Sequence, residues 1–463
     1  MSSSNCSSVV PERAVLPESA FPVDFLWGAA TSAYQIEGSP LADGAGESIW
    51  HRFAHLPGRI ADGDHGDVAC DHYRRFAADV ALMSELGIQA YRFSISWSRV
   101  LPDGTGRVNQ AGLDFYSRLV DMLIEQGIVP SATLYHWDLP AALEDRGGWA
   151  HPDAPRWFSD YARLMFRTLG DRVPMWVTIN EPWVITDCGY VNGVHPPGRR
   201  DLAEAAAVAQ NLLRAHAAAV ETYRTDWRKQ IGLVVNLVPV QPATDSPADR
   251  RAAQRMDVYI NRQFLDPAVL GRFPEELPAM FGGAWQPMGD DELRQSSPPI
   301  DFLGINYYLR LVVRDDPDGG PARAQIVTPQ DRPRTALGWE IYASGLSDML
   351  QWVTGRYGNL SLYITENGAA FDDPSAINGA IQDAQRVKYL RDHLQAARQA
   401  IDAGVDLRGY FVWSLLDNFE WVFGYSKRFG IVHVDYETQR RTPKSSARFY
   451  QRVICSQGRV LEN

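Results

Sequence analysis

The sequence predicts an α/β fold in which eight parallel strands alternate with helices and close into one barrel. Short runs rich in β-branched and aromatic residues recur eight times, and each is followed by a longer stretch whose apolar residues have helical spacing. The composition does not change between these units, which favours a closed barrel over an open sheet with a second domain. We therefore expect a single (β/α)8 TIM barrel with long loops at its C-terminal face.

The eight predicted strands are short and are spaced roughly as βα units require. Strands of a barrel surrounded by helices are buried on both faces, so they appear in the sequence as nearly continuous apolar runs. The runs are Phe25–Thr31, Ala90–Ile95, Val129–Leu134, Met175–Ile179, Ile231–Leu237, Phe302–Tyr307, Leu360–Thr365 and Gly409–Trp413.

The segment after the seventh run shows the helical half of a unit most clearly. Its apolar residues step by 3, 4, 3 and 4 positions, which places them on one helical face. Gly404 follows as a C-terminal stop. The residues on this face are Val387, Leu390, Leu394, Ala397 and Ile401.

The chain is predicted to divide into three parts: a flexible leader at residues 1–20, the catalytic barrel at 21–455 and a tail at 456–463. Residues 1–20 lack apolar periodicity, which is typical of a disordered or loosely attached segment. Two stretches dense in turn-forming residues, Gln286–Pro299 and Asp315–Arg334, are predicted to be loops. Loops at the strand ends of such a barrel shape the substrate opening.

Composition excludes several classes of partner. The formal net charge of −11 describes an acidic surface that would repel nucleic acid and anionic lipid. No run of about 20 apolar residues is present, and the N-terminal segment lacks the pattern of a secretion signal, so we expect a cytoplasmic protein without membrane partners. The 4 Cys residues are too sparse for a disulfide framework.

Two glutamates sit where catalytic groups of such a barrel lie. The fourth strand runs into Asn180 and Glu181, and Glu366 directly follows the seventh strand. Carboxylates on these strands would face each other across the barrel opening, as required to attack and protonate a glycosidic bond. A single glutamate at a strand end could equally cap a helix or pair with an arginine. Two of them, each beside an asparagine, favour catalysis.

Other strand ends carry polar or aromatic residues that suit sugar binding. An apolar ring packs against the C–H face of a sugar, and carboxylates accept hydrogen bonds from its hydroxyls. Arg92 in the second strand would be costly to bury without a carboxylate partner, and Glu366 is the expected partner. The remaining candidates are His136 and Trp137 after the third strand, Asn306, Tyr307 and Tyr308 after the sixth, and Trp413, Glu420 and Trp421 near the eighth.

No metal or other cofactor is predicted. The segment Asp62–Asp67 is acidic, but it lacks the ligand spacing and terminal glutamate of a calcium loop. We interpret it as a polar turn. The reaction is therefore expected to proceed without a metal.

Three longer motifs resemble one family. These are Phe25–Gly38 (FLWGAATSAYQIEG), Thr178–Pro182 (TINEP) on the fourth strand and Tyr363–Gly368 (YITENG) on the seventh. They resemble glycoside hydrolase family one, the β-glucosidases and their relatives, and the resemblance extends from about Phe21 to Tyr450. Chance agreement of all three motifs in this order is negligible.

The resemblance implies a retaining double displacement. Glu366 would attack the anomeric carbon while Glu181 protonates the departing oxygen and then deprotonates the water. Arg92 and Tyr308 would orient Glu366, and Asn180 would reach the sugar 2-hydroxyl. A retaining enzyme holds its two carboxyl groups about 5–5.5 Å apart, so we expect that separation between Glu181 and Glu366.

The resemblance also implies how the substrate is held. Glu420 stands where relatives that act on 6-phosphorylated sugars generally carry Ser, so a non-phosphorylated β-glycoside is the expected small-molecule partner. The implied substrate-binding residues are Gln35, His136, Trp137, Asn306, Glu420, Trp421 and Phe429 around the sugar, Trp413 as a stacking floor, and Trp183, His195 and Trp339 toward the aglycone.

Three alternatives remain open at this point. A sugar-binding relative without catalysis would lack one of the two glutamates, and this chain has both. A transglycosylase would share every residue named above, because acceptor choice depends on how much water reaches the aglycone side. A β-galactoside, β-fucoside or plant glucoside could also be the natural substrate. The sequence does not decide the oligomeric state.

Overall fold

The fold was analysed in a computed structural model that describes residues 21–376 and 379–462. The predicted leader at 1–20 lies outside the described residues. Eight parallel strands form a closed barrel in which each strand pairs with its neighbours in chain order. The last strand closes on the first, with Gly409 opposite Leu26. The predicted (β/α)8 barrel is confirmed.

The observed strands match the eight predicted runs with shifts of one or two residues at their ends. The third, fourth and seventh strands extend further than predicted, to Tyr135, Asn180 and Asn367. The strands are β1 (Leu26–Ala30), β2 (Ala90–Ser94), β3 (Val129–Tyr135), β4 (Met175–Asn180), β5 (Gln230–Asn236), β6 (Phe302–Asn306), β7 (Leu362–Asn367) and β8 (Leu407–Trp413).

A helix follows each strand, and most of these helices cover the outside of the barrel. The helix after β5 packs instead on the small sheet that contains Leu311–Asp315. The apolar face predicted after the seventh strand lies on one of these helices, with Leu390, Leu394 and Ala397 buried. Gly404 adopts a φ of 91° just beyond its end. The helices are α1 (His72–Glu85), α2 (Gln110–Glu125), α3 (Ala154–Leu169), α4 (Leu202–Asp226), α5 (Pro247–Asp257), α6 (Ser344–Tyr357), α7 (Ala384–Asp402) and α8 (Ser445–Cys455).

Smaller elements occupy the connections. Three short strands form a separate sheet: Val240–Pro242, Leu311–Asp315 and Ala324–Ile326. Val432–Val434 and Arg441–Pro443 form a two-stranded antiparallel pair. Short helices span Ala33–Ile36, Ile49–Ala54, Trp97–Val100, Ala141–Glu144, Pro182–Thr186, Gln263–Leu265, Leu277–Phe281 and Asp290–Gln295.

Both predicted loops contain regular structure, so those predictions were partly wrong. Within Gln286–Pro299, Asp290–Gln295 is helical, and the three acidic residues in its first turn complement the helix dipole. Within Asp315–Arg334, Ala324–Ile326 pairs antiparallel with the strand that ends at Asp315. The dense turn-forming residues correspond to the bend of this hairpin. Its second strand was too short to be recognised among them in the sequence.

The interior of the barrel is packed with side chains from alternate strand positions. Val177, Val234, Phe302 and Phe411 are fully buried and belong to one cluster. Gly28 provides the space for Phe411, because a Cβ at that position would lie 2.3 Å from the ring. The interior is therefore a solid core, and the open space lies above the C-terminal strand ends.

Residues 456–462, which the sequence analysis separated as a tail, pack against the N-terminal side of β1. The backbone N–H of Phe21 donates to the carbonyl of Gln457 over 3.1 Å. The indole N–H of Trp27 donates to the Gln457 side chain over 3.1 Å. Over the described parts of the chain, no helix is both long and apolar enough to cross a membrane.

Gly368 directly follows β7, and a Cβ at this position would lie 1.6 Å from the carbonyl oxygen of Trp413. Backbone atoms cannot easily give way, so Gly368→Ala is expected to lower the free energy of unfolding by about 1–3 kcal/mol. Gly355 lies in α6 with open space around its Cβ position, and Gly355→Ala is expected to raise stability by about 0.5–1 kcal/mol. Urea unfolding of both variants measures the two changes in the free energy of unfolding. Equal changes for the two substitutions would contradict the difference in packing between Gly368 and Gly355.

Candidate active site

Glu181 lies at the C-terminal end of β4, where the sequence places an acid. Glu181 is 5% exposed, and the side-chain amide of Asn306 donates to its Oε1 over 2.6 Å. Thr365 donates to the other end of that amide over 2.7 Å, which fixes the amide orientation. The carboxyl group is therefore held firmly, and no cation in residues 21–376 and 379–462 forms an ion pair with it.

Glu366 lies near the end of β7 in a different environment. Arg92 Nη1 donates to its Oε1 and the Tyr308 hydroxyl donates to its Oε2, each over 2.6 Å. Arg92 is 1% and Glu366 3% exposed, so the ion pair is almost fully removed from water. Two strong donors, one of them charged, stabilise the ionised form of this carboxyl group.

Asn180 connects the two carboxyl groups. Its Oδ1 accepts from Arg92 over 2.7 Å and from Asn306 over 3.1 Å. Its Nδ2 then donates to Nε2 of His136 over 3.2 Å, so the proton of the neutral imidazole is on Nδ1. Nδ1 of His136 is buried and has no hydrogen-bond partner in the described residues, which leaves a donor for a ligand.

The two glutamates differ in their electrostatics. Burial, together with the negative charge of Glu366, raises the pKa of Glu181 to about 8. Burial also raises the pKa of Glu366, but Arg92 and Tyr308 oppose the shift. Because only Glu366 has a cationic partner, it ionises before Glu181. Burial lowers the pKa of His136 well below its usual value, so that side chain is neutral.

An open cavity of about 450 Å³ lies above these groups and connects them to the surface. Trp413 and His136 are stacked, with ring centroids 5.8 Å apart, and His136 is also stacked on Trp421 at 6.0 Å. Of the predicted site residues, all but Gln35, Arg92, Asn180 and Tyr307 line this cavity. Gln35, Arg92 and Asn180 are buried and contact lining residues. The Tyr307 hydroxyl instead donates to the Tyr342 carbonyl over 2.6 Å, so the prediction of Tyr307 as a site residue was wrong.

Gln35 and Glu420 meet at one end of the cavity. The Gln35 amide donates to the Phe419 carbonyl over 2.9 Å and to Glu420 Oε2 over 3.3 Å. Ser32 donates to the Gln35 carbonyl oxygen over 2.7 Å, which sets the amide orientation. Burial and the nearby charge of Glu366 raise the pKa of Glu420 to about 8.

Trp183, His195 and Trp339 also line the cavity. Phe429 lies 6.2 Å from both Trp339 and Tyr308 by ring centroids. Ile326, at the end of the short strand Ala324–Ile326, and residues 327–329 line the cavity as well.

Several site residues were missed by the sequence analysis. Arg310 and Glu340 form a buried ion pair of 2.6 Å in the cavity wall. Asp417 is fully buried and accepts from Lys444 over 2.7 Å beneath the loop that carries Glu420. These partners are 30 and 27 positions apart, and no local pattern could have paired them. In the sequence Lys444 is followed by two serines, and this local pattern does not predict that the lysine is buried.

Three non-glycine residues in the cavity wall adopt positive φ angles. Trp137 has a φ of 80°, Glu181 of 47° and Trp421 of 49°. A non-glycine side chain in this region is strained and persists only where its surroundings hold it. The strain coincides with the expected catalytic acid and with two rings that face the cavity.

Paired buried carboxyl groups, one beside an arginine and one without a cation, at the C-terminal end of a parallel barrel are typical of glycoside hydrolases. Comparison with known proteins supports this class. The sequence profile described as Glycosyl hydrolase family 1 matches residues 17–459. The chain belongs to this family, and it is a glycoside hydrolase. The resemblance predicted from the three motifs is confirmed.

Relatives of known name are similar over nearly their whole length. Beta-glucosidase A of Thermotoga maritima is 51% identical over 95% of this chain and 98% of its own. A 1,4-beta-D-glucan glucohydrolase of Thermotoga neapolitana is 50% identical over 95% and 99%. The solved T. maritima family 1 β-glucosidase in complex with deoxynojirimycin superposes with a TM-score of 0.93 at 50% identity, covering 95% of this chain and 99% of that one.

Glu420→Gln is expected to stabilise the protein, increasingly so at higher pH. In the unfolded chain this carboxyl group ionises near its ordinary value of 4.5, whereas the folded protein retains the proton to about 8. The unfolded state thus binds fewer protons in that range, and stability falls as pH rises through it. The gain in Tm on substitution should be larger at pH 8 than at pH 5.

Glu37→Gln is the matched control, because Glu37 is also buried. It accepts from Arg99 over 2.9 Å and from Tyr116 over 2.6 Å. Removing its charge leaves the Arg99 cation buried without a partner, which costs about 3 kcal/mol. Calorimetry should show a lower Tm for Glu37→Gln; a stabilising effect in both variants, or in neither, would contradict these assignments.

Proposed function

We propose that the protein is a retaining β-glucosidase that hydrolyses terminal non-reducing β-D-glucosyl residues. The observation that carries the proposal is the contrast between its two buried glutamates. Glu366 is bound by Arg92 and Tyr308, whereas Glu181 has only an amide donor and a pKa raised to about 8. A nucleophile needs the first environment and a general acid needs the second.

In the first step, Glu366 attacks the anomeric carbon and forms a covalent glycosyl-enzyme. Glu181 transfers its proton to the departing glycosidic oxygen, so the aglycone leaves as a neutral alcohol. The Tyr308 hydroxyl keeps its proton, because burial and the nearby Glu366 charge raise its pKa well above the usual value. It therefore continues to hold the attacking carboxylate.

In the second step, water enters from the aglycone side. The ester at Glu366 carries no charge, so the repulsion that raised the pKa of Glu181 is gone and its carboxylate becomes an effective base. Glu181 takes a proton from the water, the oxygen attacks the anomeric carbon, and the bond to Glu366 breaks. The β configuration is retained and both carboxyl groups return to their initial states. This mechanism requires their separation to be about 5–5.5 Å.

The glucosyl unit is proposed to lie between the Trp413 ring and the Gln35–Glu420 pair. Trp413 packs against the sugar C–H face, while Glu420 accepts from hydroxyls and Nδ1 of His136 donates to one. Trp137, Asn306, Trp421 and Phe429 complete this subsite, and Asn180 faces the 2-hydroxyl. Within the described lining of the cavity, the only Arg or Lys is Arg310, which is paired with Glu340. A 6-phosphate would therefore lack a cationic partner.

Cellobiose, short cello-oligosaccharides and aryl or plant β-glucosides are the proposed substrates. Trp183, His195 and Trp339 in the cavity wall offer rings for an aglycone. Because these rings are apolar, alcohols should compete with water for the glycosyl-enzyme, and some transglycosylation is expected. Galactosides and fucosides share most hydroxyl positions with glucosides, so we also propose side activity on them.

Hydrolysis of p-nitrophenyl β-glycosides tests the proposed function. We expect turnover of the glucoside with EDTA present, weaker turnover of the galactoside and fucoside, and little of the 6-phosphoglucoside. Glu366→Ala is the matched control for contaminating activity. Absence of turnover across all four substrates, or preference for the 6-phosphoglucoside, would contradict the proposal.

The pH dependence of kcat/KM tests the role of Glu181. The acid must be protonated, so kcat/KM is expected to fall above about pH 8. Asn306 donates to Glu181 and lowers its pKa, so Asn306→Ala should move the alkaline limb to higher pH. Glu340→Gln removes another carboxylate of the cavity wall and should leave the limb unchanged. An alkaline limb that lies at the same pH with and without Asn306→Ala would argue against Glu181 as the acid.

A further inference from the structure

A second group of titratable side chains lies outside the catalytic cavity, on the connection between β1 and α1. His51 and His55 are one helical turn apart at the short helix Ile49–Ala54 and so share a face. The loop at 61–67 folds back beside them and brings Asp67 close. Ligand atoms of His51, His55 and Asp67 all lie within 4.8 Å of one another. His65 adds a third imidazole, with Nδ1 3.4 Å from Asp67 Oδ2.

Two atoms in this group are buried without hydrogen bonds. Nδ1 of His51 and Oδ1 of Asp67 lie 3.4 Å apart, yet neither has a hydrogen-bond partner in residues 21–376 and 379–462. His51 is 8% exposed, so water does not readily satisfy it. A buried nitrogen left without a donor or acceptor is costly and indicates a missing partner.

The orientation of His55 points to the same missing partner. Its Nδ1 lies 2.7 Å from the carbonyl oxygen of His51, a contact that requires a proton on Nδ1. Its Nε2 lies 3.2 Å from Asp67 Oδ2. Either a proton or a metal ion held between these two atoms would satisfy both of them. Metal-binding histidines commonly donate their second nitrogen to a backbone carbonyl in this way.

The distances suit a transition metal. Two ligands about 2.0–2.1 Å from a tetrahedral zinc ion lie about 3.3 Å apart. The three nitrogen to carboxylate distances are 3.4, 3.2 and 3.4 Å for His51, His55 and His65. His55 and His65 are partly exposed, with 41% and 45% of their side chains accessible, so their rings can adjust to complete the set.

We propose that His51, His55 and Asp67, with His65 as a fourth ligand, form a binding site for a divalent d-block metal ion such as Zn²⁺. Imidazole nitrogens with a single carboxylate favour zinc, copper or nickel over magnesium or calcium, which prefer sets made of oxygen. The site differs from the calcium loop that the sequence excludes, because its ligands come from two segments and are mostly nitrogen. It lies outside the catalytic cavity, and the chemistry proposed above does not use it.

A metal here would stabilise one wall of the substrate cavity. Trp50, next to His51, packs on Trp421 with ring centroids 4.4 Å apart. In the loop, Asp64 accepts from the backbone N–H of Tyr425 over 2.8 Å, which ties the loop to the connection after β8. A metal bound by both His51 and Asp67 would therefore connect two segments that support Trp421. One carries Trp50, and the other is the loop that binds Tyr425.

Calorimetric titration of the full chain with ZnCl₂ at pH 7.5, after EDTA treatment and dialysis, tests the site. Cys455, which is exposed, and Cys6, which lies outside the described residues, are replaced by Ser in every protein, because a thiolate also binds zinc. We expect one Zn²⁺ per chain, no comparable heat with Mg²⁺, and a rise in Tm of about 2 °C or more with saturating Zn²⁺.

His55→Asn and Asp67→Asn are each expected to weaken binding by about tenfold or more and to abolish the rise in Tm. His433→Asn, at a histidine outside the group, should leave both unchanged. Turnover of the aryl glucoside in EDTA shows that each variant is folded. Absence of saturable binding in the parent protein would overturn the proposal. So would equal affinity in His55→Asn, or equal weakening in His433→Asn, since binding would then lie elsewhere.

Discussion

The Glu366 carboxyl group is almost fully buried, and much of the surrounding structure stabilises its ionised form. Burying a carboxylate costs several kcal/mol unless a cation and further donors compensate. Arg92 on β2 supplies the cation over 2.6 Å and Tyr308 after β6 supplies a second donor. Arg92 also donates to Asn180 and so fixes the residue beside Glu181. One buried guanidinium thus positions both halves of the proposed catalytic pair.

The same burial distinguishes the two carboxyl groups. Glu181 shares the low-dielectric site and the charge of Glu366, but no cation among the described residues pairs with it, and its pKa is raised to about 8. In the proposed mechanism, forming the ester on Glu366 removes that charge and lowers the pKa of Glu181. The proposed acid would thereby become a base. The strained φ of 47° at Glu181 is maintained because Asn306 and β5 hold the residue, the latter through the Val234 carbonyl.

Much of this arrangement could be predicted from sequence, because a closed parallel barrel brings all strand ends to one face. Glu181 and Glu366 follow apolar runs directly, so their positions on that face required no knowledge of side-chain contacts. The prediction failed where partners are set by packing between distant segments. Lys444 with Asp417, and Arg310 with Glu340, have no local signature, and the short strand at Ala324–Ile326 is specified by its pairing partner. The histidines at 51, 55 and 65 were likewise unremarkable until folding brought them to Asp67.

Chemical rescue of the two glutamate variants tests the central claim, that Glu366 is the nucleophile and Glu181 the acid and base. With Glu366→Ala, azide can enter the space left by the carboxylate and attack an activated aryl β-glucoside from the α face. The account predicts an α-glucosyl azide from this variant and a β-glucosyl azide from Glu181→Ala, both identified by NMR. A β-azide from Glu366→Ala would show that the two roles are reversed.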